Sequence, residues 1–263
     1  MPIFTEHRAK SLSEYLKVTH RIYDSWGRKG ELPDPWFRGL SSVSHLLLPG
    51  WYRLGRKSQG VDEDDLVDEF ERRAHPLVDG PKPSTAWEWY FLMQHYGLPT
   101  RLLDWSECSL VGLFFAIGDW RGRGGDPQSD AVVWMLDPWY LNQWSHQKDE
   151  VFRYDEGRVM KYLPKKLWAA HRPHPTPIAL MPMYNSRRLT AQRGVFTMHG
   201  NDKRPLEKML PNRSKPHLAR IVIPQGSVGD MREALRVAGI TDVNMFPEMS
   251  YLCQDILHAW HLL

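Results

Sequence analysis

The sequence contains few cysteines and no long apolar run. Its 263 residues include two cysteines, Cys108 and Cys253, too few for a disulfide framework, and both stand in apolar helical contexts typical of a buried thiol. No segment approaches about 18 uninterrupted apolar residues, and no apolar core follows the basic residues near the N-terminus. The pattern indicates neither a membrane span nor an export signal, so we expect a cytoplasmic protein without a membrane partner.

Charge excess and metal-binding patterns are also scarce. The formal net charge is +3, and basic runs of about five or six residues are absent, so charge alone indicates no nucleic-acid partner. His171 and His174 have no cysteine pair beside them, and neither kind of phosphate-binding glycine loop occurs. Ser106 lacks the G-x-S-x-G context of a nucleophilic serine. We therefore predict no metal site and no serine-hydrolase site.

Length and aromatic content indicate a substantial core. The chain is long enough for one large domain, and we predict a single domain over 1–263 that begins with a helical lead-in over 1–35. Twelve tryptophans can fill a core generously, although such rings also form platforms for flat ligands.

The stretch 94–116 crowds polar side chains into apolar sequence, and a helix end opens it. Thr85-x-x-Glu88 is a capping-box pattern that predicts a helix start, and Gly97 predicts the left-handed end of that helix. His95 and Tyr96 therefore fall in its last turn. His95 is predicted either to bind a ligand or to bond the terminal carbonyl groups of the helix.

A strand and a new helix follow within the same stretch. Residues 101–105 are predicted as a short buried strand, and Ser106 at its end is placed to cap an apolar helix over 110–117. Asp104 and Ser106 would then lie beside free N–H groups at a helix start, which suits an anionic or polar ligand. Arg101 with Asp104 is predicted either as a binding pair or as a local buried ion pair.

Periodicity and turn residues predict the remaining elements. Predicted helices cover 11–26, 62–74, 227–238 and 250–260, and predicted strands cover 36–40, 131–136, both sides of Arg193-Gly194 within 188–199, 220–224 and 243–246. Residues 142–184 are predicted as irregular chain with at most one or two short helices.

Arg38 interrupts the apolar strand Trp36-Phe-Arg-Gly-Leu40. A buried guanidinium is costly unless it meets a carboxylate or an anion, so Arg38 is predicted either to hold an anionic ligand or to pair with an internal acid such as Asp104.

Four ordered blocks carry a resemblance to a known family. They are W-F-R-G at 36–39, Q-H-Y-G-L-P-T-R-L-L-D-W-S at 94–106 with L-F-F-A at 113–116, R-L-T-A-Q-R-G-V-F at 188–196, and M-F-P-E at 245–248. The sequence resembles the FRG domain family over roughly Trp36 to Ile256. We take 36–256 as the family core.

The order of elements is also similar to that of the ADP-ribosyltransferases. That resemblance implies an α+β fold, with a mixed or split β-sheet flanked by helices, and NAD as substrate without a metal. It makes Arg38 the early arginine that holds NAD and Ser106 the hydroxyl residue of the nicotinamide pocket. Gln192 stands where that superfamily has a late acid, so Asp104 and Glu248 are the acids that remain.

The chemistry of NAD cleavage assigns roles to these residue types. A carboxylate lowers the barrier to the oxocarbenium-like transition state at the ribose, and an arginine fork suits the diphosphate. The candidates are Asp104, Gln192 and Glu248 for catalysis, and Arg38, His95, Tyr96, Arg101 and Ser106 for binding. Tyr96 or Trp105 would face the flat nicotinamide cation, with core packing as the alternative. Ser106 as a plain helix cap, and local hydrogen bonding by Gln192 and Glu248, are further alternatives.

The resemblance implies an NAD-using ADP-ribosyltransferase-like enzyme or an NAD-cleaving effector. Its partners would be a small-molecule nucleotide and a macromolecular acceptor that the sequence does not identify. The alternatives are a non-enzymatic ligand-sensing or protein-interaction module and a nucleic-acid-binding protein that uses the basic region 153–220.

Overall fold

The framework of the protein is a β-sheet. The structure is a computed structural model, and it describes residues 4–27, 35–78, 80, 82–118, 129–172, 174–184, 186–211, 216–260 and 262. The strands are β1 (Thr5–Arg8), β2 (Trp36–Leu40), β3 (Leu102–Ser106), β4 (Ala131–Leu136), β5 (Phe152–Arg153), β6 (Ile178–Met181), β7 (Gly194–Met198) and β8 (Leu218–Ile223).

These strands form one eight-stranded sheet in the order β1-β8-β4-β2-β3-β7-β6-β5. The outer pairs β1 with β8 and β5 with β6 are parallel, and the inner pairs are antiparallel. Helices lie against this mixed sheet, as the sequence predicts. The finer likeness to an ADP-ribosyltransferase fold stays a prediction.

Helices connect the strands. They are α1 (Leu12–Ser25), α2 (Gly50–Arg53), α3 (Glu63–Ala74), α4 (Ala86–His95), α5 (Ser109–Ile117), α6 (Pro138–His146), α7 (Gly157–Met160), α8 (Arg187–Ala191), α9 (Val228–Val237), α10 (Asp242–Met245) and α11 (Met249–Ala259). None of the helices in the described ranges has the length and apolar character that crossing a bilayer requires.

The sheet is narrowest at its centre. Strands β2 and β4 pair through five residue pairs, and so do β3 and β7, whereas β2 and β3 share the single pair Phe37 with Ser106. The two halves therefore meet at one point, which we call the central joint: the contact between β2 and β3 around Phe37 and Ser106. Side chains near this joint can reach from one half of the sheet to the other.

Two groups of helices cover one face of the sheet. Helices α1, α5 and α9 bury apolar side chains against β2, β4 and β8, and α3 and α4 do so against β3, β6 and β7. The other face packs a core that contains Trp36, Trp105 and Trp134. These three tryptophans fill the interior, as large rings generally do.

Gly39 allows α5 to lie directly on β2. A Cβ atom at residue 39 would be 2.1 Å from the carbonyl oxygen of Gly112 and 2.3 Å from the backbone nitrogen of Ala116. The reverse contact is also tight, because a Cβ at Gly112 would be 2.6 Å from the Cβ of Phe37. The glycine of W-F-R-G is therefore required by close packing of helix on strand rather than by a turn.

We expect Gly39→Ala to lower the free energy of unfolding by about 3 kcal/mol, at the upper end for overpacked cores, because the clashing atoms belong to backbone that cannot rotate away. Denaturant unfolding of the purified protein measures this change. Gly229→Ala in α9 is the matched control, since a Cβ there meets no atom within 4 Å. Equal stability of Gly39→Ala and the wild type would contradict the packing argument.

Most predicted elements are present, and the exceptions share a cause. The capping box at Thr85 and Glu88 is formed, and the predicted helices at 11–26, 62–74, 227–238 and 250–260 are each found with slightly shifted ends. Wrong predictions are the strand at 243–246, which is helix α10, and the first run of 188–199, which is helix α8. The irregular region 142–184 contains β5 and β6, and the helical lead-in contains β1. These elements are four or five residues long at most, so local periodicity hardly distinguishes them.

Candidate functional site

Arg38 lies at the central joint. Its Nη1 donates a hydrogen bond to the backbone carbonyl of Asp104 and lies 3.5 Å from the Oδ2 of the same residue. The side chain is 14% exposed, and its Nε is buried without a hydrogen-bond partner among the described residues. The alternative that pairs Arg38 with Asp104 is thus confirmed as a contact, but this contact leaves part of the guanidinium unsatisfied.

The surroundings of Arg38 oppose its charge. Burial lowers the pKa of Arg38 from its ordinary value, Asp104 raises it in part, and Arg53 of α2 lowers it further. Arg53 is exposed and has no ion pair in the described chain. A second cation near a buried guanidinium is unfavourable unless an anion lies close to both.

Asp104 presents its carboxylate to solvent beside this guanidinium. Its side chain is 59% exposed on a strand whose other members are buried. The Nε2 of Gln94 donates to both carboxylate oxygens, at 3.0 and 2.9 Å, and the hydroxyl of Thr100 donates to the Oε1 of Gln94. The end of α4 therefore orients the carboxylate while leaving it accessible.

His95 is half-buried at the end of α4. Burial lowers the pKa of the half-buried His95, Arg188 lowers it further, and Glu248 and Asp104 oppose that effect. With its pKa below the ordinary value, His95 is mainly neutral near pH 7.

Ser106 at the end of β3 contacts Gln192 at the end of α8. The Ser106 hydroxyl donates to the Gln192 carbonyl at 2.7 Å and accepts from the backbone N–H of Cys108 at 3.0 Å. The Nε2 of Gln192 donates to the Met245 carbonyl at 3.0 Å. The prediction of Ser106 as the helix cap is wrong, because Cys108 holds that position. All four sequence blocks converge here, and we call the region between α4, α5, α8 and residues 245–248 the cleft.

Arg101 lies outside the cleft. Its Nε donates to Glu63 at 2.7 Å, its Nη1 donates to the His199 carbonyl at 3.2 Å, and its Nη2 donates to the Tyr162 carbonyl. Burial acts to lower the pKa of Arg101, but Glu63, Tyr90 and Tyr52 together outweigh burial, so the pKa is raised. The predicted pairing of Arg101 with Asp104 is wrong: the acid is Glu63, 38 positions earlier. All three guanidinium nitrogens are engaged by protein groups.

The two aromatic candidates lie in opposite environments. Trp105 is 3% exposed, and its Nε1 donates to the Thr197 hydroxyl at 2.9 Å, so the core alternative is confirmed for it. Tyr96 is 70% exposed and stands edge-on to His95, with ring centroids 4.9 Å apart. Of the two rings, Tyr96 is the one available to a ligand.

Sequence reasoning missed three residues of the cleft. Gln94 orients Asp104, Arg188 acts on His95, and Phe246 lies under the Arg188 guanidinium with 4.8 Å between the guanidinium carbon and the ring centroid. Each lies in one of the four sequence blocks that resemble the FRG domain family, and this was the only sequence signal that could have pointed to a role in the site. Periodicity could not have identified them, because their partners are distant in sequence.

A separate cavity lies elsewhere on the molecule. It has a volume of about 560 Å³ and is lined by Trp51, Tyr52, Gly55, Gly60, Val61, Asp62, Asp65 and Lys203. None of these is a predicted site residue. We place the candidate site at the cleft instead, because the unsatisfied Arg38 guanidinium and the oriented carboxylate of Asp104 lie there. The described residues hold no group of three or more metal-ligating side chains suited to a metal ion.

Comparison with known proteins identifies one family. The FRG domain model matches residues 34–122, which include Arg38, His95, Tyr96, Arg101, Asp104 and Ser106, whereas Gln192 and Glu248 lie beyond the matched residues. Neither the curated proteins nor the solved structures gave a match. The chain therefore contains an FRG domain, as the blocks W-F-R-G and Q-H-Y-G-L-P-T-R-L-L-D-W-S indicated.

Proposed function

We propose that the chain binds NAD in the cleft and breaks the bond between nicotinamide and ribose. The observation that carries this proposal is the Arg38 guanidinium, which is largely buried at the central joint with its Nε unpartnered. A buried cation in that condition is costly, and a phosphate group would supply the missing acceptors. A diphosphate is the natural ligand for a planar guanidinium fork.

The groups around Arg38 suit the rest of the molecule. The exposed ring of Tyr96 offers an aromatic face to the nicotinamide cation, and neutral His95 beside it can bond a ribose hydroxyl. Asp104 is exposed and oriented by Gln94, so it can stabilise positive charge that develops at the ribose.

The reaction needs no group other than water or an acceptor nucleophile. The C–N bond to nicotinamide breaks, and its electron pair stays on the ring nitrogen, which becomes neutral. Water or an acceptor then attacks the ribose carbon from which nicotinamide left, and the proton that it loses goes to solvent or to neutral His95. The carboxylate of Asp104 or Glu248 stabilises the positive charge that develops at the ribose while the bond breaks.

A second candidate is a nucleotide-binding module without turnover. The observation that favours it is that residue 192 is a glutamine and not an acid. The side-chain amide of Gln192 donates to the Met245 carbonyl, and its backbone carbonyl accepts from the Ser106 hydroxyl. Such a protein would bind NAD or ADP-ribose and release it unchanged. Incubation with NAD followed by product analysis separates the two candidates, because only cleavage yields free nicotinamide.

Binding of nucleic acid through 153–220 has less support. Arg153, Arg158, Lys166 and Arg204 each form an ion pair with an acid of the same chain. These basic side chains already face carboxylates, so the region presents less free positive charge than its composition indicates.

We expect Arg38→Lys to bind ADP-ribose at least about tenfold more weakly, or about 1.4 kcal/mol, because lysine keeps the charge but loses the planar fork. The melting temperature should change little. Calorimetric titration of ADP-ribose, together with thermal melts, measures both quantities. Arg204→Lys, which alters an exposed ion pair with Asp202, is the control. A lowered melting temperature with intact affinity would assign Arg38 a purely structural role.

A further inference from the structure

We infer that His146 and His174 form a pH-sensitive clamp, which holds residues 174–176 beside α6 while both rings are neutral and releases them when both rings take up a proton. The clamp is the set of contacts that joins His146, Tyr162, His174 and Thr176. It lies outside the cleft, so this inference does not rest on the proposed function.

The two imidazole rings of the clamp are neighbours in space. Their centroids are 5.1 Å apart, and the ring planes are inclined by 54°. His146 is half-buried at the end of α6 and meets the Phe152 ring edge-on, whereas His174 is exposed. Two imidazolium ions at this separation repel each other, so the contact is stable only while at most one ring is charged.

The turn at residues 174–176 needs an unprotonated nitrogen on His174. The backbone N–H of Thr176 donates to the Nδ1 of His174 at 3.3 Å, and the Thr176 hydroxyl lies 2.6 Å from the same atom. A ring nitrogen that accepts from an N–H carries no proton, so the neutral ring closes this turn. A proton at Nδ1 would remove the acceptor and open the turn.

Tyr162 joins this turn to His146. Its hydroxyl donates to the Thr176 carbonyl at 2.9 Å and lies 3.3 Å from the Nε2 of His146. Because the phenolic proton points to Thr176, the Tyr162 oxygen accepts from Nε2–H, and the Nδ1 of neutral His146 accepts from the Ser145 hydroxyl at 2.9 Å. The Tyr162 carbonyl accepts from Arg101, so the clamp also contacts the part of the chain that matches the FRG domain.

The charges around the clamp oppose a proton on His146. Arg158 lies over the Phe152 ring, 4.8 Å from its centroid, and His146 meets the same ring. Burial, His174 and Arg158 lower the pKa of His146 to about 4. His171, another histidine of this region, bonds the Leu163 carbonyl through Nδ1.

Four acids of the elements around the clamp pair with arginines of the same chain: Glu150 and Glu156 with Arg158, Asp155 with Arg153, and Asp202 with Arg204. Further charged side chains there are exposed to solvent: Lys148, Asp149, Lys161, Lys165, Arg172 and Lys203. The acids are thus engaged by other cations, and they leave the repulsion between the two rings in place.

The sign of the pH effect follows from His146. The unfolded chain takes up a proton near the ordinary pKa of 6.5, whereas the folded protein resists that proton until about pH 4. The stability that neutral His146 contributes is therefore complete above pH 6.5 and is lost as the pH falls toward 4. Because the clamp is a local set of contacts, mild acid should release residues 174–176 before the whole protein unfolds.

The amide of Asp202 reports on the clamp, because it donates to the Pro175 carbonyl at 3.2 Å. Hydrogen exchange, corrected for the intrinsic effect of pH, should show its protection falling at least about tenfold between about pH 7.5 and about pH 5. The amide of Ala9, which bonds the Val222 carbonyl at the opposite edge of the sheet, should keep its protection. Full protection of Asp202 in the wild type at the lower pH overturns the inference.

His174→Asn separates the clamp from burial alone. Asparagine keeps an acceptor for the N–H two residues on and takes up no proton, so Asp202 should retain its protection at about pH 5. His146→Gln should have the same effect, and the double variant should add nothing, because the repulsion needs both rings. His20→Gln is the matched control: His20 is exposed on α1 and pairs with Asp24, so this variant should behave as the wild type.

The exposed position of His174 makes the outcome decisive. Burial lowers the pKa of His199 to about 3, so His199 contributes an acid effect of its own that persists in every variant. An undiminished loss of Asp202 protection in His174→Asn would assign the whole effect to buried His146 or His199 and would overturn the clamp. If His146→Gln does not fold, His174→Asn decides alone, since residue 174 lies at the surface.

Discussion

Replacing Asp104 with asparagine is expected to lower the turnover of NAD by about two to three powers of ten, while the affinity for NAD stays nearly unchanged. The carboxylate matters mainly when positive charge develops at the ribose, so its removal raises the barrier without weakening ground-state binding. Asparagine keeps the shape of the side chain and an oxygen that Gln94 can still bond. Release of nicotinamide measures turnover, and calorimetry measures affinity.

Glu248→Gln and a surface control complete this experiment. Glu248 is the other acid near His95, so a loss confined to Glu248→Gln would make Glu248 the catalytic acid. Asp202→Asn, which disturbs an exposed ion pair with Arg204, should retain full activity. If both cleft variants remain fully active, neither residue stabilises the transition state, and the proposed reaction loses its chemical basis.

Replacing Glu63 with glutamine is expected to lower the free energy of unfolding by about 3 to 5 kcal/mol, because the buried cation of Arg101 then lacks its counter-charge. Glu63 and Arg101 are both nearly inaccessible, and the Glu63 carboxylate also accepts a hydrogen bond from the Tyr90 hydroxyl. The pair links the start of α3 to the start of β3. Its loss would therefore leave a buried charge unpaired and weaken the docking of α3.

Glu69→Gln on the same helix is the matched control. Glu69 pairs with Arg72 and Arg73 on the surface, where water and salt screen the charges, so its replacement should destabilise the protein much less than that of Glu63. Denaturant unfolding of the two variants gives the comparison. A similar small loss in both would mean that the Glu63 pair contributes little.

Local chemistry made much of the cleft predictable. The capping box at Thr85 and Glu88 and the left-handed Gly97 act over a few residues, so the end of α4 could be placed without knowledge of the fold. The same holds for the strand that carries Asp104 and for the strand that carries Arg38. A buried arginine in an apolar strand is costly without a partner, so the sequence alone predicted that Arg38 needs one.

The identity of the partners was decided by the tertiary structure. Arg101 pairs with Glu63 instead of the acid three positions away, because Asp104 points to solvent from its strand while Arg101 is buried beside the start of α3. Arg188 lies over the distant Phe246 ring only because α8 packs against α10.

The sequence by itself determined the helix cap at Thr85, the longer helices and strands, the likeness of residues 34–122 to the FRG domain and the presence of an arginine that needs an acceptor. The tertiary structure alone decided which strands are neighbours, which acid each arginine meets and which ring faces solvent. The physical reason is range. Caps and periodic faces depend on groups a few residues apart, whereas pairing across the chain must offset the entropy of closing long loops. Only the packing of the whole core selects among such distant pairings.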